Sequence, residues 1–152
     1  MTRLALMGVV SGLRSQLGTG AVALTTTPGE RARPASFFAG VWAKRVTAAT
    51  AVGEMVGDKL PTTPSRLSPS GITFRMAFGA LAASALASRE PGHPPAVPAA
   101  LGAAGALAGT LGGAYWRRTV AKSGRPDWPA ALLEDATALL LAYAVVGHRH
   151  GR

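Results

Sequence analysis

Seven carboxylates serve the whole chain, at Glu30, Glu54, Asp58, Glu90, Asp127, Glu134 and Asp135, and three of them interrupt apolar sequence. Glu54 sits in VGEMVG, Glu134 and Asp135 sit in ALLEDATALLL, and Asp58 follows Glu54 by one helical turn. Thr47, Thr50, Glu54 and Asp58 fall on one helical face by steps of three and four. Arg14 and Arg75 are the cations placed in the same way, each within or at the mouth of an apolar run. In lipid, a charge at the centre of a helix costs about 2.5–3.5 kcal/mol on insertion scales, so such groups pair with one another or line a polar cavity. Arg14 and Arg75 are therefore expected to meet Glu54, Asp58, Glu134 or Asp135.

Three chemistries suit these residues. Carboxylates held at low dielectric bind cations or exchange protons, which is the chemistry of a small permease or channel. Glu54 and Asp58, four residues apart, can instead share a divalent metal while Lys59, Arg66 and Arg75 hold a phosphate, as a membrane enzyme acting on lipid or phosphate substrates requires. As a third option the charges only lock helix register in a scaffold or assembly protein. No phosphate-binding glycine loop, nucleophile elbow or zincin motif occurs, and no cofactor is expected. His93 in a proline-rich stretch and His148 and His150 in a basic tail have poor spacing for a metal site.

The elements that position these groups are five apolar, glycine-rich segments, at about 4–24, 35–56, 71–87, 96–116 and 130–147. Between them lie TTTPGERARP, DKLPTTPSRLSPS, SREPGHPP and RRTVAKSGRPDWP, each with proline and basic residues, as turns between helices should have. Strand signals are sparse. Several segments reach the roughly 17–25 residues that cross a bilayer. The fifth is the richest in leucine, while the fourth, mostly Ala and Gly, needs neighbouring helices to hold it in lipid. The start, Met1-Thr2-Arg3 before LALMGVV, has the shape of a signal peptide, but Arg14, Ser15 and Gln16 interrupt it, and a retained first helix is expected.

Composition points the same way. Hydrophobic residues form 48% of the 152 residues and charged residues only 15%, against roughly 25% in soluble domains. The mean hydropathy of +0.23 is modest because alanine supplies much of the apolar fraction. The absence of cysteine excludes disulfides, thiol catalysis and thiolate metal sites. The net charge of +9 is spread among the turns, and aromatic residues are only 6%, so a nucleic-acid surface is not expected. If all five segments span, Arg3, Lys59, Arg66, Arg117, Arg118, Lys122 and Arg125 fall on one side, and Arg31, Arg33, Arg89, Arg149 and Arg152 on the other.

Glycine spacing supplies the packing signal. Gly105, Gly109 and Gly113 recur every four residues behind Gly102; Gly8 and Gly12 mark the first segment, Ala49, Gly53 and Gly57 the second, and Gly79 with Ala83 the third. Faces of this kind let helix backbones approach closely within a membrane, either inside one chain or between copies in a homo-oligomer.

Taken in order, SGLRS at 11–15, the E-x3-DKLPTTPSR stretch from Glu54 to Arg66, FRMAFGA at 74–80, the glycine repeat ending in Arg117 and ALLEDA at 131–136 resemble domain-of-unknown-function family 4126, small bacterial multi-helix membrane proteins. The resemblance implies a polytopic protein and carries no activity with it. Arg14, Glu54, Asp58, Lys59, Pro61, Arg66, Arg75, Glu134 and Asp135 occupy the matching positions. The expectation is thus an all-α, polytopic helical membrane bundle of about five short Gly/Ala-rich helices, one integral membrane domain over residues 1–152. It would sit in a bacterial inner membrane with a buried polar site for a small solute or ion, the lipid bilayer its chief partner.

Overall fold

The computed structural model describes residues 1–57, 67–90, 92–124 and 126–147. Among them the chain is helical without strands: α1 (Thr2–Leu13), α2 (Ser15–Thr25), α3 (Val41–Gly57), α4 (Pro69–Ala87), α5 (Ala96–Lys122) and α6 (Asp127–Gly147), with a 3-10 turn at Ala35–Phe38.

Local chemistry sets the boundaries. Ser68 caps α4 by accepting from the Gly71 N–H at 3.1 Å, and Pro69 takes the first helical position, where no N–H is needed. Gly124, at φ +69°, follows α5 in a left-handed conformation that residues with a side chain rarely adopt. The segment expected as one helix over 35–56 begins instead as the 3-10 turn, and α3 starts only after Gly40. Glycine is a poor helix former, and Ala35 and Phe38 are drawn down into the core on the near side of it.

The larger correction concerns 4–24, expected as a single span. It is two helices separated by one residue, Arg14, whose backbone is extended at φ −140° and ψ 106°. The chain reverses there. At the start of α1, Arg3 donates to the Val145 carbonyl from Nε at 3.2 Å and from Nη2 at 2.9 Å, and pairs with Glu90 at 3.1 Å. At the end of α2, Arg89 Nη2 donates to the Val22 carbonyl at 2.6 Å and to Thr26 Oγ1 at 2.5 Å. Arg89 and Glu90 are neighbours just past α4, so the outer ends of both short helices lie together. The inner end of α1 lies beside Arg75, 14 residues earlier in the chain and about 21 Å along the helix at 1.5 Å per residue. α1 and α2 therefore form a helical hairpin with Arg14 at its tip.

α5 runs at the centre, with α1 and α4 packed on it. A Cβ on Gly8 or Gly12 would fall within 3.0 Å of the Gly102 or Ala106 carbonyl, and one on Gly105 or Gly109 would strike the carbonyl of Ala5 or Val9. Gly79 meets Gly102 in the same manner, its Cβ position lying 2.5 Å from the Gly102 oxygen. Gly113 leaves room for Leu13 and for the Glu134 carboxyl group. Gly53, expected to pack, does the reverse: it is exposed with nothing within 4 Å, because α3 turns its Thr47 and Ala51 edge toward Gly20 of α2. Gly57 ends α3.

α4, α5 and α6 are long and apolar enough to cross a membrane, whereas α1 is apolar but has only 12 residues. With the hairpin, Arg3 joins Arg89 at one end of the bundle, while Arg117, Arg118 and Lys122 occupy the far end of α5; the side-by-side grouping expected of Arg3 with Arg117 does not occur.

Candidate functional site

A helix that stops inside a bundle leaves carbonyls without partners at its C-terminus and N–H groups without partners at its N-terminus. The break at Arg14 creates both within one residue. Arg75 of α4 answers the first set: its Nη1 donates to the Gly12 carbonyl at 3.1 Å and to the Leu13 carbonyl at 3.5 Å. Thr110 Oγ1 of α5 also faces Gly12 O, at 3.2 Å. Glu54 of α3 answers the second set, receiving the Ser15 N–H at 2.8 Å on Oε1 and the Gln16 N–H at 2.7 Å on Oε2, with the Ser15 hydroxyl donating as well. Each charge matches its helix end, cation at the C-terminus of α1 and anion at the N-terminus of α2. Arg75 and Glu54 then close the arrangement at 3.7 Å.

The tip residue is 1% exposed. Arg14 donates from Nε to Asp135 Oδ1 at 2.5 Å, and its terminal nitrogen pairs with the same oxygen. Successive residues on a helix point about 100° apart, so Glu134 leaves α6 in another direction, toward α5, where Arg117 Nη1 lies 3.8 Å from its Oε2. Three guanidiniums (Arg14, Arg75, Arg117) and three carboxylates (Glu54, Glu134, Asp135) thus converge and balance in charge. Asp58, Lys59 and Arg66 lie outside the described residues, and with them the expected metal pair of Glu54 with Asp58 and the phosphate set of Lys59 and Arg66 with Arg75. Glu54 itself faces a helix end. Among the described residues no three His, Asp or Glu side chains form a metal-binding group.

A groove of about 400 Å³ adjoins the cluster, lined by Leu13, Gly112, Gly113, Trp116, Leu133, Thr137 and the Glu134 carboxylate. Leu13 is the residue before the tip, so the groove runs from the outer surface of α5 and α6 to the charged centre.

Several participants were not legible beforehand. Thr110 carries no signal in an Ala/Gly run, and the N–H groups of Ser15 and Gln16 become ligands only because the helix breaks. Lys44 of α3 donates from Nζ to the Thr26 carbonyl at 2.6 Å and closes the outer end of α2. The polar run Arg14-Ser15-Gln16 was the available clue to the break. No protein-family model, curated protein or solved structure matches the chain.

Proposed function

We propose that the chain is a multi-pass protein of a bacterial inner membrane that binds and passes a small solute or ion at the Arg14 centre. The observation that carries this reading is the broken helix. In a bilayer, interrupted backbone is tolerated only where protein buries it or where it lines a cavity, and half-helix ends with opposite charges beside them are the recurring construction of solute and ion sites in transporters. α1 and α2, about 18 Å and 16 Å long at 1.5 Å per residue, reach part-way into a core roughly 30 Å thick and return. α3 carries the chain from the Thr26 end down to Ser15, and α4, α5 and α6 complete the passage.

The outward faces support the lipid setting. Leu111, Tyr115, Leu132, Leu139, Leu140 and Tyr143 are exposed on α5 and α6 while Arg14, Arg75, Glu134 and Asp135 are interior, which inverts the arrangement expected in water. Transport at such a centre proceeds by exchange of partners. An incoming ion or polar group takes one member of a pair, and the released member finds a neighbour of opposite sign within the same cluster, so that no charge stands alone in the low-dielectric interior.

The test is flux in proteoliposomes loaded with a pH-sensitive dye, with proton and sodium gradients imposed in turn. Flux above that of protein-free vesicles, lost in Glu54→Gln with the protein still folded, supports the reading. Flux equal to the protein-free vesicles for both ions overturns it in favour of a scaffold in which the balanced charges set register.

A further inference from the structure

The groove beside the centre has a composition that selects its occupant. Its walls are Leu13, Leu133 and the side-chain-free edge of Gly112 and Gly113, with the Trp116 indole at the rim. Gly112 has nothing within 4 Å of its Cβ position, and Leu133 and Trp116 are exposed, so the groove opens sideways between α5 and α6 rather than along the bundle. In the bilayer that opening faces acyl chains. The one ionised group that lines it is Glu134, 4% exposed and held back in the bundle.

From this geometry we infer that the groove is a binding site for a lipophilic cation reaching the charged centre laterally from the membrane. This rests on the membrane reading above and names the substrate class of that site. An apolar body already dissolved among the acyl chains enters the groove through van der Waals contact with Leu13, Leu133 and Trp116. Its cationic centre then meets the Glu134 carboxylate in surroundings where opposite charges attract far more strongly than in water. The indole face at the rim attracts the same charge. Arg117 is an internal competitor at the groove, 3.8 Å from Glu134 with its side chain 27% exposed. A guanidinium at this place, five residues before the end of α5, swings outward to the interface by extending its stem, and the ligand's cation takes its place beside Glu134. An anion fits poorly, since it would lie against a buried carboxylate.

The measurement is equilibrium binding of tetraphenylphosphonium to the detergent-purified full chain, beside the neutral triphenylphosphine oxide. Saturable binding of the cation, at least tenfold tighter than the neutral compound, is expected. Glu134→Gln should weaken it at least tenfold, and Arg117→Gln should tighten it severalfold. Gly112→Leu fills open space, keeps the fold and should abolish binding, so the test survives if Glu134→Gln does not fold. Equal affinity for both compounds, or cation binding untouched by Gly112→Leu, overturns the inference. So does native mass spectrometry showing phosphatidylglycerol, and no phosphonium, lost on Gly112→Leu. Because binding in detergent needs no flux, phosphonium binding without any transport would leave this site standing and sink the permease reading alone.

Discussion

Arg14 and Asp135 are 121 residues apart in sequence and share a hydrogen bond of 2.5 Å from Nε to Oδ1, joining the tip of the hairpin to the middle of α6. Both residues are buried, so the pair has lost its water. Removing one should cost about 3–5 kcal/mol, because it leaves the buried cluster with an unbalanced charge. Arg14→Met and Asp135→Leu are each expected to lower the unfolding midpoint in detergent sharply. The double variant should recover most of the loss, and a double variant no better than the worse single one would mean that the pair is not coupled.

Glu54 makes a narrower prediction. In Glu54→Gln one carboxylate oxygen becomes an NH2 group facing the Gln16 N–H, so one charge-assisted bond is lost and two donors are opposed. Hydrogen bonds to charged groups contribute about 1.5–3 kcal/mol. Amide exchange at Ser15 and Gln16 should accelerate accordingly, while amides in the middle of α5 stay protected. Unchanged protection at the first turn of α2 would remove Glu54 from its capping role.

Glycines separate into two kinds that substitution should distinguish. Gly105→Ala places a methyl group against the Ala5 backbone, and overpacking of this sort costs about 1–3 kcal/mol. Gly53→Ala meets open space, and the gain in helix propensity is about 1 kcal/mol. Midpoints of thermal unfolding should therefore move in opposite directions.

The hairpin is testable because the chain contains no cysteine. Single substitutions Thr2→Cys, Thr27→Cys and Gly92→Cys should react with a membrane-impermeant maleimide from the same side, and Ser123→Cys from the other. One continuous helix through 2–25 would instead put Thr2 and Thr27 on opposite sides.

The all-helical character, and the positions of the three long apolar helices, followed from turn chemistry and apolar run length, properties that a local stretch carries by itself. The residues drawn to the centre were also visible, since Arg14, Glu54, Arg75, Glu134 and Asp135 are charges where charge is unfavourable. Their pairing was not. Whether Arg14 faces Asp135 or Glu54 depends on the reversal at residue 14, and apolar helices of 12 and 11 residues on either side of a polar residue read the same as one long helix with a flaw. Periodicity also failed at Gly53, because a stripe of small residues marks a surface able to pack and does not say whether a neighbour arrives.

The half-length of α1 and α2 also constrains how the protein is made. Neither helix has enough greasy length to be retained by the insertion machinery when it first emerges from the ribosome, since capture needs a stretch of roughly 20 apolar residues. The cleft that receives Gly8 and Gly12 is cut by Gly102, Ala106 and Gly109, and the counter-charge for Arg14 arrives only with Asp135, 121 residues later. The hairpin is thus translated before the helices that seat it, waiting at the membrane surface until α5 and α6 have built the socket.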